Sequence, residues 1–191
     1  PFSKGTARAY IDYRIGDVYT YRTLDLLTRL DAGQRALRVS SVEEDQVVFN
    51  NGSLITDLLG NIMKNPRGQT FVGRQIFVAE YSIGKQWTTI FRGTRRDGTP
   101  DEWVLHFRVV TRENVTVPAG TFDAFKVEGK GYVRGNGNRF EITYWVAPAQ
   151  LRSFIAFDQV QQGRRGKWID ADRSELVSLS LIHISEPTRL G

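Results

Sequence analysis

Hydrophobic and polar residues alternate with a period of two along most of this chain. In Trp103-Val104-Leu105-His106-Phe107-Arg108-Val109, the residues Trp103, Leu105, Phe107 and Val109 fall on one face. Phe140, Ile142, Tyr144 and Val146 do the same within 139–146, and Leu151, Ser153, Ile155 and Phe157 repeat the spacing. Successive side chains of an extended strand point to opposite faces, so such runs predict half-buried β-strands. Residues 18–27, rich in Thr, Tyr and Leu, predict a long strand. Residues 37–42 and 46–49 predict the arms of a hairpin around Glu43-Glu44-Asp45. Asn51-Gly52, Asp97-Gly98 and Asn136-Gly137 mark turns, because Asn and Gly reach positive φ at least cost. Pro118-Ala119-Gly120 marks another break, and Gly129-Lys130-Gly131 reads as hairpin glycines.

Helical spacing is nearly absent. Leu54, Leu58, Leu59 and Ile62 form a short stripe within 53–63, and a strand over 54–59 fits equally well. Gly60 weakens the helix by about 1 kcal/mol against Ala. The expected fold is all-β, with about eleven strands and at most one short helix. The expected architecture is an antiparallel curved sheet or sheets, arranged as a sandwich or partly open barrel of two meanders.

The two meanders rest on an internal echo. Tyr13-Arg14-Ile15-Gly16-Asp17-Val18-Tyr19-Thr20 resembles Tyr81-Ser82-Ile83-Gly84-Lys85-Gln86-Trp87-Thr88, 68 positions later. Leu37-Arg38-Val39 then tracks Phe107-Arg108-Val109. Each lead-in glycine predicts a sharp backbone bend before a strand. One β-rich domain over 10–178 is expected, with possible lobes at 10–68 and 78–160. Residues 1–9 begin at Pro1 rather than Met and read as the end of a fragment. Residues 179–191 resemble the in-frame translation of a sequencing adapter, so the native sequence is expected to stop near 178.

Several strands carry large apolar residues on both faces. Trp145 is expected to oppose Tyr144, as Phe154 opposes Phe157. A sheet apolar on both sides needs cover on both, or a ligand on one. Trp103, Phe107, Tyr144, Trp145 and Phe154 are therefore the candidate ligand-binding residues.

Chemistry is thinly provided. The 191 residues include no Cys and two His, which excludes disulfide scaffolds, thiolate metal sites and cysteine nucleophiles. With the tail set aside, His106 is the sole imidazole, and no Ser signature accompanies it. Glu128 and Glu141 sit inside strands and are expected to face water or pair with Lys126, Lys130 and Arg139. No catalytic residue, metal site or cofactor is expected. The net charge is +5, from 26 Lys and Arg against 21 Asp and Glu. That is modest for a nucleic-acid binder, so no nucleic acid is expected, although anionic envelope surfaces would attract it. No apolar stretch is long enough for a transmembrane helix.

Val117-Pro118-Ala119-Gly120-Thr121-Phe122-Asp123-Ala124-Phe125-Lys126-Val127, Tyr144-Trp145-Val146-Ala147-Pro148 and Glu175-Leu176-Val177-Ser178 together resemble the TapB-like family and related β-rich domain families of the Gram-negative envelope. The resemblance covers most of 10–178 and implies an antiparallel β domain, often exported and sometimes lipid-anchored, with no settled activity. The expected location is periplasmic or outer-membrane-associated. The expected function is a non-catalytic β-domain binding a lipid or other apolar or amphipathic ligand on a concave sheet face. A structural module pairing with an envelope protein is the alternative, and a hydrolase ranks third.

Overall fold

The computed structural model describes residues 6–8 and 12–181. Its strands in chain order are β1 (Thr6–Arg8), β2 (Val18–Asp25), β3 (Asp31–Val42), β4 (Gln46–Phe49), β5 (Leu54–Asp57), β6 (Ile62–Lys64) and β7 (Phe71–Val72). They continue with β8 (Glu80–Ser82), β9 (Gln86–Thr94), β10 (Pro100–Val117), β11 (Gly120–Val133), β12 (Arg139–Val146), β13 (Phe154–Gln162) and β14 (Trp168–Ser180). The count exceeds the expected one because β1, β7 and β8 are only two or three residues long.

Twelve strands form one antiparallel sheet in the order β6-β5-β4-β3-β2-β14-β13-β12-β11-β10-β9-β7. The outermost strands, β6 and β7, are neighbours in the chain. Lys64 bridges Thr70, and the Asn65 N–H donates to the Gln69 carbonyl at 3.0 Å. The sheet thus curls until its ends meet at one turn, giving a nearly closed barrel. β1 and β8 form a separate two-stranded ribbon.

The all-β class holds, and the barrel is the architecture adopted. No α-helix occurs among the described residues. The stripe at 53–63 is a hairpin of β5 and β6. Asp57 Oδ1 accepts the N–H groups of Leu59 and Asn61, and Gly60 takes φ +96°. This Asx-type turn competes with the helix and wins. Asn50–Gly52 forms a single 3₁₀ turn joining β4 to β5.

Two further expectations are corrected. Gly129 and Gly131 lie in mid-β11, opposite Phe107 and Leu105, and are not hairpin residues. A Cβ at Gly129 would overlap the Phe107 ring, and one at Gly131 the Val104 carbonyl. The interior is narrow there, and glycine makes room for large neighbours. Phe154 and Phe157 do not oppose each other: their rings are 5.4 Å apart. A bulge at Ile155 shifts the register, pairing Trp145 with Ala156 but Val146 with Phe154.

Both faces of the apolar strands are covered. The far half of the β10–β11 hairpin folds across the outer face. The Trp145 indole N–H reaches Glu113 Oε1 at 2.8 Å, and the Ala119 N–H donates to the Leu176 carbonyl at 3.1 Å. A second bulge, between Leu176 and Ser178, interrupts the ladder where that carbonyl is captured. The residues 117–127, 144–148 and 175–178 that carry the family resemblance are therefore brought together as a packing unit. Leu179 and Ser180 continue β14, paired with Tyr19 and Val18. Residues 1–5, 9–11 and 182–191 lie outside the described residues.

Candidate functional site

Period-two alternation lapses at Gly73-Arg74-Gln75-Ile76-Phe77-Val78-Ala79. After β7 this segment runs beside β9, the Gln75 N–H donating to Thr89 Oγ1 at 3.0 Å and the Trp87 indole N–H to the Gln75 carbonyl at 3.0 Å, and it turns Ile76 inward as a plug. Asn61, almost wholly buried, holds it: its Oδ1 accepts the N–H groups of Ile76 and Phe77, each at 2.8 Å. Its Nδ2 donates to the Phe77 carbonyl at 3.0 Å. The Tyr144 hydroxyl donates to the Ile76 carbonyl at 2.7 Å from the opposite wall. An irregular segment can be buried only where its backbone groups find such partners.

Two adjoining cavities border this plug and share Ile62, Asn65, Arg67, Arg74, Ile76 and Gln159. The first, half open to solvent, has a volume of about 500 Å³ between an aromatic wall of Phe71, Phe91, Trp103 and Phe140 and a set of amides, Asn136, Asn138 and Gln161. The second, also half open, has a volume of about 660 Å³. Phe49, Leu54, Phe77, Phe154 and Phe157 make its apolar wall, and Thr23, Arg35, Asp172 and Ser174 make a polar one. Volumes of this size suit a small or mid-sized ligand.

Arg74 stands between them. Its guanidinium lies over Phe71 at 5.0 Å and Phe91 at 5.6 Å, and its Nε is buried without a hydrogen-bond partner among the described residues. Burial lowers its pKa to about 10, so it stays charged at neutral pH. No carboxylate pairs with it among the described residues. Arg74 as a whole is half-buried, so its charge is partly hydrated; an anionic ligand group beside its orphaned Nε would add the missing partner. Asp172, on the second cavity's polar wall, has its pKa raised by desolvation and then by Asp170 and Asp25.

The five sequence-derived candidates do not form one site. Trp103 lines the first cavity, stacked on Phe91 at 5.5 Å. Phe154 lines the second. Phe107 is packed into the core against Trp87, 5.3 Å between ring centroids. Tyr144 is buried and latches the plug. Trp145 lies on the outer face under Arg173 and Lys126. Alternation over strands could not find Arg74, Asn61 or Phe77, which sit in or against the plug. The one sequence signal for them is the break in the pattern itself.

The candidate acid–base groups lie elsewhere. His106 is exposed and shares a 2.7 Å hydrogen bond with Thr88. Glu128 pairs with Lys126 at 3.4 Å and Glu141 with Lys130 at 3.9 Å, all at the surface or half-buried. None of them lines either cavity.

No family model matches the chain, and no curated protein matches it. Solved structures do share the fold. A candidate exported protein with a YmcC-like fold from Bacteroides fragilis superposes with a TM-score of 0.59 at 12% identity, covering 92% of this chain and 100% of that one. A candidate lipoprotein from Parabacteroides distasonis gives 0.54 at 12%, covering 91% and 99%. The hypothetical lipoprotein YmcC from Escherichia coli K12 gives 0.52 at 10%, covering 87% and 85%. At these identities the likeness is one of fold.

Proposed function

We propose that this chain is a non-catalytic binding domain of the Gram-negative envelope that takes an amphipathic molecule with an anionic head group into its barrel. The observation that carries this reading is Arg74, a half-buried guanidinium that lines both cavities, has no ion pair among the described residues and keeps its Nε buried without a hydrogen bond; the second cavity adds an extensive apolar wall. An alkyl chain would lie against Phe77, Phe154 and Phe157 in the second cavity, and its charged end would meet Arg74. The names of the fold neighbours, exported proteins and lipoproteins, support the envelope location.

Pairing through a sheet edge is the weaker reading. The main sheet's end strands are two and three residues long and meet at the Lys64–Thr70 bridge. The test is titration with a dansyl-labelled fatty acid, followed by fluorescence. Saturable binding is expected, weakened roughly tenfold to a hundredfold in Arg74→Gln because a charge-assisted hydrogen bond is lost. A probe that does not saturate, or that binds wild type and variant alike, rejects the reading.

A further inference from the structure

The turns at one end of the barrel are basic, although acids such as Asp25, Asp31, Asp170 and Asp172 stand on the strand ends behind them. Strands alternate up and down, so the turns 26–30, 50–53, 65–70, 95–99, 134–138 and 163–167 share one end. Those turns hold eight Arg and Lys against a single acid, Asp97. The opposite end carries Glu43-Glu44-Asp45 in its β3–β4 turn. Three of the eight cations are matched by carboxylates: Arg95 by Asp101, Arg96 by Asp170 and Arg134 by Glu102. Arg29, Arg67, Arg164, Arg165 and Lys167 have no ion pair among the described residues.

The same end exposes large apolar side chains. Leu27 is 61% exposed, Leu30 69%, Trp168 50% and Ile169 41%. They belong to two adjacent hairpins, stitched by the Leu26 N–H donating to the Ala171 carbonyl at 2.8 Å. The Asp25 carboxylate accepts the Leu27 and Thr28 N–H groups, which fixes the turn that presents Leu27 and Leu30. Single exposed apolar residues are ordinary, but four on neighbouring tips among unpaired cations are not.

We infer that this end docks on an anionic lipid bilayer, with Leu27, Leu30 and Trp168 entering the head-group layer and Arg29, Arg164, Arg165 and Lys167 meeting phosphates. Aliphatic tips with a Trp beside cations match the bilayer interface, where apolar burial and surface charge act together. A nucleic acid would use the charge and leave the leucines without a role. Narrow turn tips offer little flat area for a standard protein interface, which buries about 1,200–2,000 Å². Arg67, Arg96 and Ile169 at this end also line the first cavity, so docking would turn the cavity's polar rim toward the lipid. The inference does not depend on what the cavity binds.

The experiment is co-sedimentation of the full chain with vesicles of phosphatidylcholine alone, or with one third phosphatidylglycerol. Binding to the mixed vesicles only is expected, and it weakens as salt screens the charges. Arg164→Gln/Arg165→Gln/Lys167→Gln lowers the partition coefficient roughly tenfold to a hundredfold. Leu27→Ser/Leu30→Ser/Trp168→Ser lowers it about tenfold at unchanged charge. Glu43→Gln/Glu44→Gln/Asp45→Asn, at the other end, does not weaken it. All three sets lie in or beside exposed turns, and circular dichroism verifies that each variant folds. Equal binding to both vesicle types, equal binding by both rim variants, or salt-sensitive binding to single-stranded DNA without vesicle binding overturns the inference. Loss of dansyl-fatty-acid binding in Arg74→Gln with vesicle binding intact would separate the cavity from the rim.

Discussion

The two meanders begin alike and end differently. Gly16 at φ +90° and Gly84 at φ +89° make the same bend. The Gly16 N–H donates to the Val39 carbonyl, and the Val39 N–H to the Asp17 carbonyl; the Gly84 N–H donates to the Val109 carbonyl, and the Val109 N–H to the Lys85 carbonyl. A register shift follows each time, between Val39 and Ser41 and between Val109 and Thr111. A buried tyrosine packs edge-on against an aromatic in both, Tyr13 on Tyr19 and Tyr81 on Trp87. Past this shared lead-in, β3 and β4, 12 and 4 residues long, border the second cavity, whereas β10 and β11 extend to 18 and 14 residues, border the first cavity at one end and wrap the outer face at the other. The lead-in is thus a way of starting a curled sheet, and what differs between the two meanders lies past it.

The sharpest way to break this contrast is to fill the crowded side. Gly131→Ala forces a methyl into the Val104 carbonyl and the Leu105 side chain, where the backbone has no slack. The expected loss is about 3 kcal/mol by denaturant unfolding, the upper range for overpacking. A loss below about 1 kcal/mol would mean that this half is as loosely filled as the other.

Smaller, and aimed at the likeness, are Gly16→Ala and Gly84→Ala. Nothing lies within 4 Å of a Cβ at Gly84, so its cost is backbone strain alone, about 1–2 kcal/mol. The same loss is expected at Gly16. Values differing by more than about 1 kcal/mol would show that the matching hydrogen bonds do unequal jobs.

The sequence revealed strands and turns because both are local. Alternation needs only neighbours at i and i+2, and Glu43-Glu44-Asp45 and Asn136-Gly137 fall in turns between strands as read. Bulges escaped it: Ile155 looks like a continuing face until the ladder to β12 is known. Gly129 and Gly131 looked like turn residues because their reason is a neighbouring strand's Phe107 and Leu105. The candidate site was least legible. Of five aromatics chosen for amphipathic strands, Trp103 and Phe154 reach a cavity, because a strand's pattern tells which side chains share a face but not what fills the space before them. Arg74 depends on the plug, a feature of long-range hydrogen bonds to Asn61 and Tyr144.

The paired tyrosines give a test in alkali. Burial pushes the Tyr13 and Tyr81 pKa values up to about 12, against an ordinary 10.0. The folded state then holds each phenolic proton more tightly than the unfolded chain, so stability is fully present below pH 10 and is lost as pH rises toward 12. Tyr13→Phe and Tyr81→Phe each flatten this alkaline decline. At neutral pH the Tyr81 change costs at most about 1 kcal/mol, for the bond its hydroxyl accepts from the Val78 N–H. Two alkaline limbs of unlike steepness would show that the two meander bases are not equally dry.

The smallest expected effect belongs to the open side. Asp172 has its carboxyl pKa raised above the ordinary 3.8, by desolvation first and by Asp170 and Asp25 next. The folded state binds that proton more tightly than the unfolded chain, so the charged carboxylate opposes folding. Its penalty is absent below pH 3.8 and grows as pH rises through the raised value. Asp172→Asn removes this slope and is expected to stabilise the neutral protein by a few tenths of a kcal/mol, little because the group is largely solvated. The same change takes the acid from the second cavity's polar wall, which also holds Arg35 and Arg67. An anionic amphiphile should then bind a few-fold more tightly while a neutral one is unaffected, since only the charged ligand feels the deleted repulsion. Equal gains for both would assign the effect to shape and would sever the link between this wall's charge and its ligand.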